Sequence, residues 1–169
     1  MINSNNIIII GFMGAGKSMV ANELANIYQR SVVSTDQLIE QREKRSIKDI
    51  FVGEGEAYFR QVEKEIVKEV SQQKNLIIDC GGGVIIDADN RQLLKKSGII
   101  IYLSASPGVL LERIQKTQER PLLNVTDQMA KIEELLAQRR TFYEQADYTI
   151  STDHKSVAEV CQEIKEVIA

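Results

Sequence analysis

The chain carries Gly11-Phe12-Met13-Gly14-Ala15-Gly16-Lys17-Ser18 directly after the apolar run Ile7-Ile8-Ile9-Ile10 and before a segment of helical periodicity. The pattern G-x-x-x-x-G-K-S in strand-loop-helix order is typical of a phosphate-binding P-loop. Its glycines allow successive backbone N–H groups to turn towards a polyphosphate at a helix N-terminus. We therefore expect Lys17 to reach the β- and γ-phosphates and the Ser18 hydroxyl to ligate Mg²⁺.

Length and composition limit the remaining possibilities. The 169 residues suit one domain, and the net charge of −3 argues against a general nucleic-acid binder. We find neither the roughly 20 continuous apolar residues that a membrane span needs nor a signal-peptide pattern, so we expect a cytoplasmic protein. Cys80 and Cys161 lie far apart and there is a single histidine, which predicts ordinary thiols without a disulfide framework or zinc site. We also expect a monomer with no membrane partner.

Short apolar runs alternate with segments of helical spacing along the whole chain. The predicted strands are residues 6–11, 31–34, 76–79, 99–103 and 148–150. The first helix has Val20, Leu24 and Ile27 as its predicted apolar stripe, and a long helix over 127–145 has Met129, Ile132, Leu135 and Leu136 as predicted core positions. This order predicts a three-layer α/β domain with a mostly parallel sheet flanked by helices.

Several polar residues stand where such a sheet binds ligands. Asp36 follows the second strand, at the carboxyl edge where open α/β sheets hold their ligands. Asp79 ends a buried strand in the manner of a Walker B carboxylate, although many strands end in Asp. The next glycines, 81–83, indicate close approach of a ligand or another backbone, and a plain loop is the alternative.

Two arginines have both a functional and an ordinary interpretation. Arg60 and Glu63 are three residues apart on a predicted helix, and composition alone favours a solvated surface pair worth a few tenths of a kcal/mol. Arg120 lies in a polar stretch that suits a mobile flap closing over ATP, and a solvated arginine is an equal alternative.

Taken together, the motifs resemble the shikimate kinase family over nearly the whole chain and in the same order. They are the P-loop, Asp36 with Ile39-Glu40, the segment Gly53-Glu54-x-x-Ala57-x-Phe59-Arg60-x-x-Glu63, Gly81-Gly82-Gly83, Arg120-Pro121-Leu122-Leu123, and Arg139 before Tyr143. The resemblance implies a nucleoside-monophosphate-kinase-like P-loop fold with a five-stranded parallel sheet in the order 2-3-1-4-5. It also implies transfer of the ATP γ-phosphate to the 3-hydroxyl of shikimate by a single kinase domain over 1–169, with a substrate-binding segment at about 34–62 and a lid at about 116–126.

The resemblance also implies a role for individual residues. Shikimate would meet Asp36 through its hydroxyls, Arg60 and Arg139 through its carboxylate, and the glycines through backbone amides, with Gly82 central among them. The implied substrate-binding residues are Asp36, Arg60, Gly81, Gly82, Gly83 and Arg139. The implied nucleotide-binding residues are Gly14, Ala15, Gly16, Lys17, Ser18, Met19, Arg113 near the adenine, and Arg120 in the lid. Lys17, Asp36 and Arg120 would carry the catalysis, with ATP as phosphoryl donor and Mg²⁺ as metal.

The chain departs from the family pattern at the metal site. Family members usually carry Asp-x-Asp after the second strand, whereas this chain has Ser34-Thr35-Asp36. We hypothesise that Asp79 supplies the missing charge, which makes Ser18 and Asp79 the predicted metal ligands. Met19 in place of Thr and Thr141 in place of Pro are milder departures.

Two alternatives to an active shikimate kinase are open at the sequence level. The same fold hosts gluconate and nucleotide kinases, although the paired arginines with Asp36 and the glycines fit a small hydroxylated carboxylic acid better than a nucleoside monophosphate. The other alternative, suggested by Ser34, is a catalytically weakened homologue that binds nucleotide.

Overall fold

The computed structural model describes residues 5–116 and 125–169, and every structural statement below refers to these residues. The strands are β1 (Asn6–Gly11), β2 (Ser31–Ser34), β3 (Leu76–Asp79), β4 (Gly98–Ser104) and β5 (Tyr148–Ser151). The helices are α1 (Lys17–Tyr28), α2 (Thr35–Glu43), α3 (Ile47–Gly53), α4 (Gly55–Ser71), α5 (Ala88–Ser97), α6 (Pro107–Gln115), α7 (Gln128–Tyr143) and α8 (Val157–Ile168), with a short 3₁₀ turn at Val84–Ile86.

All five strands form one parallel sheet in the order β2-β3-β1-β4-β5, which confirms the predicted fold and strand order. β1 lies in the centre, and its isoleucines are buried on both faces of the sheet, as a continuous apolar run predicts. Ile7 and Ile9 pack into one core with residues of α1, α6 and α8. Ile8 and Ile10 pack into a second core with residues of α4 and α5. The two cores are the interfaces of a three-layer arrangement.

Two helices bury faces that differ from the predicted stripes. In α1 the buried residues are Val20, Ala21 and Leu24, and Ile27 is 38% exposed. The buried face of α1 is centred nearer Ala21 than predicted, so Ile27 lies at its margin in the last turn. This correction does not change the predicted helix.

The buried face of α7 carries an arginine and a tyrosine as well as aliphatic residues. Ile132, Leu135, Arg139 and Tyr143 are buried at three- and four-residue steps. The predicted core residues Met129 and Leu136 are only half-buried. The prediction is confirmed for Ile132 and Leu135, and Leu136 packs against the core as a partly buried residue. The apolar pattern missed the rest of this face, because an arginine and a tyrosine occupy two of its inward positions.

The parallel arrangement brings the carboxyl ends of β1, β2 and β3 to one edge of the sheet. Along that edge, Ser34 pairs in register with Asp79. The P-loop, the start of α2 and the glycines after β3 therefore meet at the same place. In the described part of the chain, no helix is long and apolar enough to cross a membrane. Both cysteines, Cys80 and Cys161, are buried free thiols, as predicted.

Candidate functional site

The P-loop connects β1 to α1 through two glycines in the left-handed region. Gly14 has φ of 84° and Gly16 has φ of 91°, values that side chains disfavour. The amide of Ala15 donates to the Phe12 carbonyl at 3.1 Å, and Lys17 Nζ donates to the same carbonyl at 3.0 Å. The loop thus wraps tightly at the N-terminus of α1, where partial positive charge favours an anion.

A cavity of about 210 Å³ opens beside the P-loop, between the ends of β2 and β3. It is lined by Met13, Lys17, Ser18, Ser34, Asp36, Gln37, Asp79, Cys80, Gly81 and Gly82. Six of these residues, namely Lys17, Ser18, Asp36, Asp79, Gly81 and Gly82, are sequence-predicted site residues. Of the other four, Ser34 was considered only as a departure from the family pattern, and Met13, Gln37 and Cys80 were missed. The adjacency of β2 and β3 in the predicted strand order is the signal that could have indicated Gln37 and Cys80.

Ser18 and Asp79 are in direct contact. The Ser18 hydroxyl donates a hydrogen bond to Asp79 Oδ2 at 2.5 Å, and Asp79 is 6% exposed. Ser34 caps α2, because its hydroxyl accepts from the Gln37 amide at 3.3 Å. Asp79 therefore contacts the P-loop serine, whereas its register partner Ser34 caps a helix.

The glycines at 81–83 provide space for other groups. A Cβ atom at Gly81 would lie 2.5 Å from Asp36 Oδ1, and a Cβ atom at Gly83 would overlap the Arg60 guanidinium. A Cβ atom at Gly82 would lie 3.4 Å from the Met13 amide nitrogen of the P-loop. Of the two interpretations left open by the sequence, close approach is correct. Side chains come close at the two outer glycines and P-loop backbone at the middle one.

Thr35 fixes the start of this glycine segment. Its hydroxyl accepts a hydrogen bond from the Gly81 amide at 2.8 Å, and Thr35 is fully buried. Because Thr35 directly precedes Asp36, the same contact sets the distance between the Asp36 carboxylate and the glycine segment. Nothing in the sequence distinguishes Thr35 from an ordinary helix-start residue.

The pair Arg60 and Glu63 is not the solvated surface pair that composition favoured. Arg60 Nη1 donates to Glu63 Oε1 at 2.8 Å, and Glu63 is 1% exposed. The interior position follows from α4, where Phe59, Val62 and Ile66 turn the same helical face towards the core. Glu63 Oε2 is buried and has no hydrogen-bond partner among the described residues.

Burial dominates the electrostatics of this pair. It raises the pKa of Glu63 from 4.5 to about 7, against the lowering effect of Arg60 and, more weakly, of Arg139, while the nearby Asp36 charge adds to the increase. Burial by itself would lower the pKa of Arg60, but the charges and hydrogen bonds of Glu63 and Glu56 together more than offset this and the Arg60 pKa is raised. Arg60 therefore stays charged beside a carboxyl group that titrates near neutral pH.

Arg139 and Tyr143 hold the middle glycine from α7. Arg139 Nη1 donates to the Gly82 carbonyl at 3.3 Å, and the Tyr143 hydroxyl donates to the same oxygen at 2.6 Å. Burial raises the pKa of Tyr143 to about 12, so this hydroxyl remains a donor. Tyr143 stacks on Tyr102 with ring centroids 4.7 Å apart. In the sequence, Tyr143 stands out only as a motif position after Arg139, so its hydrogen bond to Gly82 was not predicted.

Arg139 also lines a second cavity, of about 330 Å³, formed with other α7 residues and with Glu56 and Ile86. Its guanidinium lies 5.5 Å from the centroid of the Phe12 ring, and the residue is 3% exposed. Arg139 thus contacts both the P-loop and the glycine segment. The structure brings it to the predicted site, although it does not line the first cavity.

The remaining predicted nucleotide-site residues lie on the other side of the P-loop or outside the described residues. Arg113 on α6 contacts the P-loop carbonyls of Gly14 and Ala15. Met19 is 65% exposed on α1. Arg120 and most of the predicted lid at 116–126 lie outside the described residues.

The chain is similar to known proteins over nearly its whole length. The model of the family "Shikimate kinase" matches residues 13–169. The shikimate kinase of Caldanaerobacter subterraneus subsp. tengcongensis is 43% identical over 94% of this chain and 93% of its own length. That of Bacillus cereus is 41% identical over 96% of this chain and 97% of its own length.

Solved structures give the same result. The shikimate kinase from Acinetobacter baumannii, in complex with shikimate, superposes with a TM-score of 0.95 at 36% identity, covering 99% of this chain and 94% of its own. A gluconokinase from Sinorhizobium meliloti superposes with a TM-score of 0.62 at 15% identity, over 98% of this chain and 91% of its own. At that identity the second likeness concerns the fold alone.

Proposed function

This chain belongs to the shikimate kinase family, and we propose that it transfers the γ-phosphoryl group of ATP to the 3-hydroxyl of shikimate. The predicted family and the predicted enzyme class, a small-molecule kinase, are confirmed by relatives that match over nearly their full length. The observation that carries the residue assignment is the glycine segment, which places the Asp36 carboxylate at one end and the Arg60 guanidinium at the other.

The donor half of the site is the P-loop. Its backbone amides and the N-terminus of α1 bind the phosphates, and the Lys17 ammonium neutralises charge on the β- and γ-phosphates. Phosphoryl transfer depends mainly on positioning and charge stabilisation, so preformed donors at this loop supply much of the rate. Arg120 keeps its predicted role of closing over ATP.

The acceptor half lies across the cavity. Asp36 accepts the proton of the attacking hydroxyl, because its carboxylate borders the cavity that Lys17 and Ser18 also line. Arg60 and Arg139 bind the substrate carboxylate through charge-assisted hydrogen bonds, which orient the ring. Glu63 holds Arg60 in place from the protein side, and the backbone at Gly82 contacts the ring between these two ends.

Ser18 and Asp79 fit a Mg²⁺ site. Both offer oxygen ligands, which this ion prefers, and they already lie 2.5 Å apart. Among the described residues no group of three or more acidic, histidine or cysteine side chains could hold a metal, but Mg²⁺ in kinases takes most of its shell from water and substrate phosphates. When bound, the ion would neutralise phosphate charge as the γ-phosphoryl group transfers.

The metal assignment is tested with Asp79→Asn. We expect a higher Mg²⁺ concentration for half-maximal activity and weaker Mg²⁺-dependent binding of ADP by calorimetry. Adding Ser34→Asp to this variant should restore part of the loss, since position 34 is the register partner of 79. The exposed variant Asp89→Asn is the matched control. An unchanged Mg²⁺ dependence in Asp79→Asn would show that the assignment is wrong.

Organisation beyond the site follows the same proposal. We assign residues 1–169 to one kinase domain, with the substrate-binding segment at about 34–62 and the lid at about 116–126. A cytoplasmic monomer without a nucleic-acid partner stays a prediction.

A coupled ADP-release assay tests the function. It compares shikimate, gluconate and nucleoside monophosphates as acceptors at saturating Mg-ATP. We expect kcat/KM for shikimate to exceed the others by several orders of magnitude. Faster turnover of gluconate than of shikimate would favour a gluconate kinase. Tight ATP binding without shikimate-dependent turnover at any Mg²⁺ concentration would favour a catalytically weakened homologue that binds nucleotide.

A further inference from the structure

Arg113 on α6 makes four contacts with two separate parts of the chain. Its Nη1 atom lies 3.3 Å from the Gly14 carbonyl oxygen and 3.4 Å from that of Ala15. The same atom lies 3.0 Å from Thr152 Oγ1, and Nη2 donates to the Thr152 carbonyl at 3.1 Å. One guanidinium thus joins the back of the P-loop to the residue that follows β5.

The far end of this connection is rigid. Thr152 is 4% exposed, and its amide donates to the Ser104 carbonyl at 2.8 Å. Its hydroxyl donates to the same carbonyl at 3.2 Å. Ser104 is the last residue of β4, so Arg113 is anchored to the sheet rather than to a free loop.

The contacts of Arg113 with the Gly14 and Ala15 carbonyls determine which way these P-loop peptides face. A trans peptide unit points its carbonyl and its N–H in opposite directions. The carbonyl of Ala15 faces Arg113, so the N–H of Gly16 in the same peptide unit faces away, towards the anion side of the loop. The N–H paired with the Gly14 carbonyl is that of Ala15, which is already bonded to Phe12.

The rest of α6 supports the same loop. A Cβ atom at Gly14 would lie 3.0 Å from Ile114 Cγ1, so the helix packs directly against the loop beside the guanidinium contact. Reorienting the Gly14 or Ala15 peptide would break the bond between its carbonyl and Arg113. The loop is therefore held in one orientation before any nucleotide arrives.

We propose that Arg113 is a positioning residue that braces the P-loop in its polyphosphate-binding conformation, whatever contact it makes with the base. This rests on the proposed function in that ATP is the phosphoryl donor. The brace acts on the phosphate end of the nucleotide. Its removal must therefore also weaken the binding of a ligand that has phosphates and no base.

The test measures binding of ATP and of inorganic tripolyphosphate by calorimetry at fixed Mg²⁺ and salt. We expect Arg113→Met to weaken both ligands by a similar factor, about tenfold, which corresponds to about one hydrogen bond to a charged donor. Lys96→Met removes one charge from an exposed side chain in the last turn of α5 and should change neither by more than about twofold. Thr152→Val, which removes the hydroxyl that accepts from Arg113 and donates to the Ser104 carbonyl, should weaken both ligands about two- to threefold.

Three results would overturn the brace. Weakening of ATP with unchanged tripolyphosphate affinity would assign Arg113 to the base alone. Full tripolyphosphate affinity in Arg113→Lys would show that charge suffices without the forked geometry, and unchanged binding of both ligands in Arg113→Met would show that the loop needs no brace. Absence of ATP binding by the unaltered protein would overturn the proposed function, and the brace with it.

Discussion

Replacing Glu63 with glutamine should change how stability depends on pH, because the buried carboxyl group has a pKa of about 7 in the folded chain instead of 4.5. Below pH 4.5 this carboxyl is protonated in both the folded and the unfolded chain. Between 4.5 and about 7 the unfolded chain loses the proton while the folded chain retains it, so the free energy of unfolding falls as pH rises. Above about pH 7 the loss is complete.

The size of the effect follows from the two pKa values. At about 1.4 kcal/mol for each pH unit, the difference amounts to roughly 3 kcal/mol, most of which falls between pH 5 and pH 8. A glutamine at this position does not titrate. The stability of Glu63→Gln relative to the unaltered protein should therefore rise by about that amount over this interval.

Urea unfolding at several pH values and constant ionic strength measures this difference. Glu65→Gln is the matched control, because Glu65 lies on the same helix with its side chain 57% exposed. Its difference from the unaltered protein should stay within about 0.5 kcal/mol across the range.

A flat difference for Glu63→Gln would refute the reasoning. A difference that falls with pH would show that Arg60 and Arg139 outweigh burial and that the carboxylate is the favoured form. Either result would contradict the conclusion that the Glu63 carboxyl group titrates near neutral pH beside Arg60.

Two substitutions in the acceptor half have equally direct expectations. Arg139→Ala should raise the KM for shikimate by roughly 10- to 100-fold with little change in ATP binding, since it removes one side of the carboxylate clamp. Steady-state kinetics measure this, and Arg140→Ala, which alters an exposed side chain on the same helix, is the control. An equal loss of ATP affinity in Arg139→Ala would contradict the assignment. Gly81→Ala should lower kcat/KM for shikimate at least about tenfold, because its methyl group displaces the Asp36 carboxylate. The control is Gly108→Ala, which should be near neutral because an added Cβ atom there would meet no neighbouring group within 4 Å. Normal kinetics of Gly81→Ala would refute the steric argument.

The sequence predicted the parts of the site that local pattern determines. A strand, a glycine spacing and a Lys-Ser pair are sufficient for the P-loop, and a parallel sheet requires its neighbouring strand ends to share an edge. For this reason the meeting of Ser18, Asp36 and Asp79 could be expected before the structure was known.

Contacts that depend on side-chain direction in three dimensions could not be predicted in this way. The composition of α4 gives no indication that Glu63 turns inward with Phe59, so its burial and its altered pKa were missed. Tyr143 donates to a carbonyl 61 residues away in the chain. The purpose of the three glycines also required the structure, because the groups that occupy the space come from α2, α4 and the P-loop.

The position of the phosphate on the product tests the central proposal most directly. Phosphorus–proton correlation by NMR on the product of shikimate and Mg-ATP identifies the phosphorylated oxygen. We expect the phosphorus to couple to the proton on C3 of the ring, because Asp36 and the two arginines fix which hydroxyl faces the P-loop. Coupling to another ring proton, or the absence of any phosphorylated shikimate, would contradict the proposed arrangement of the site.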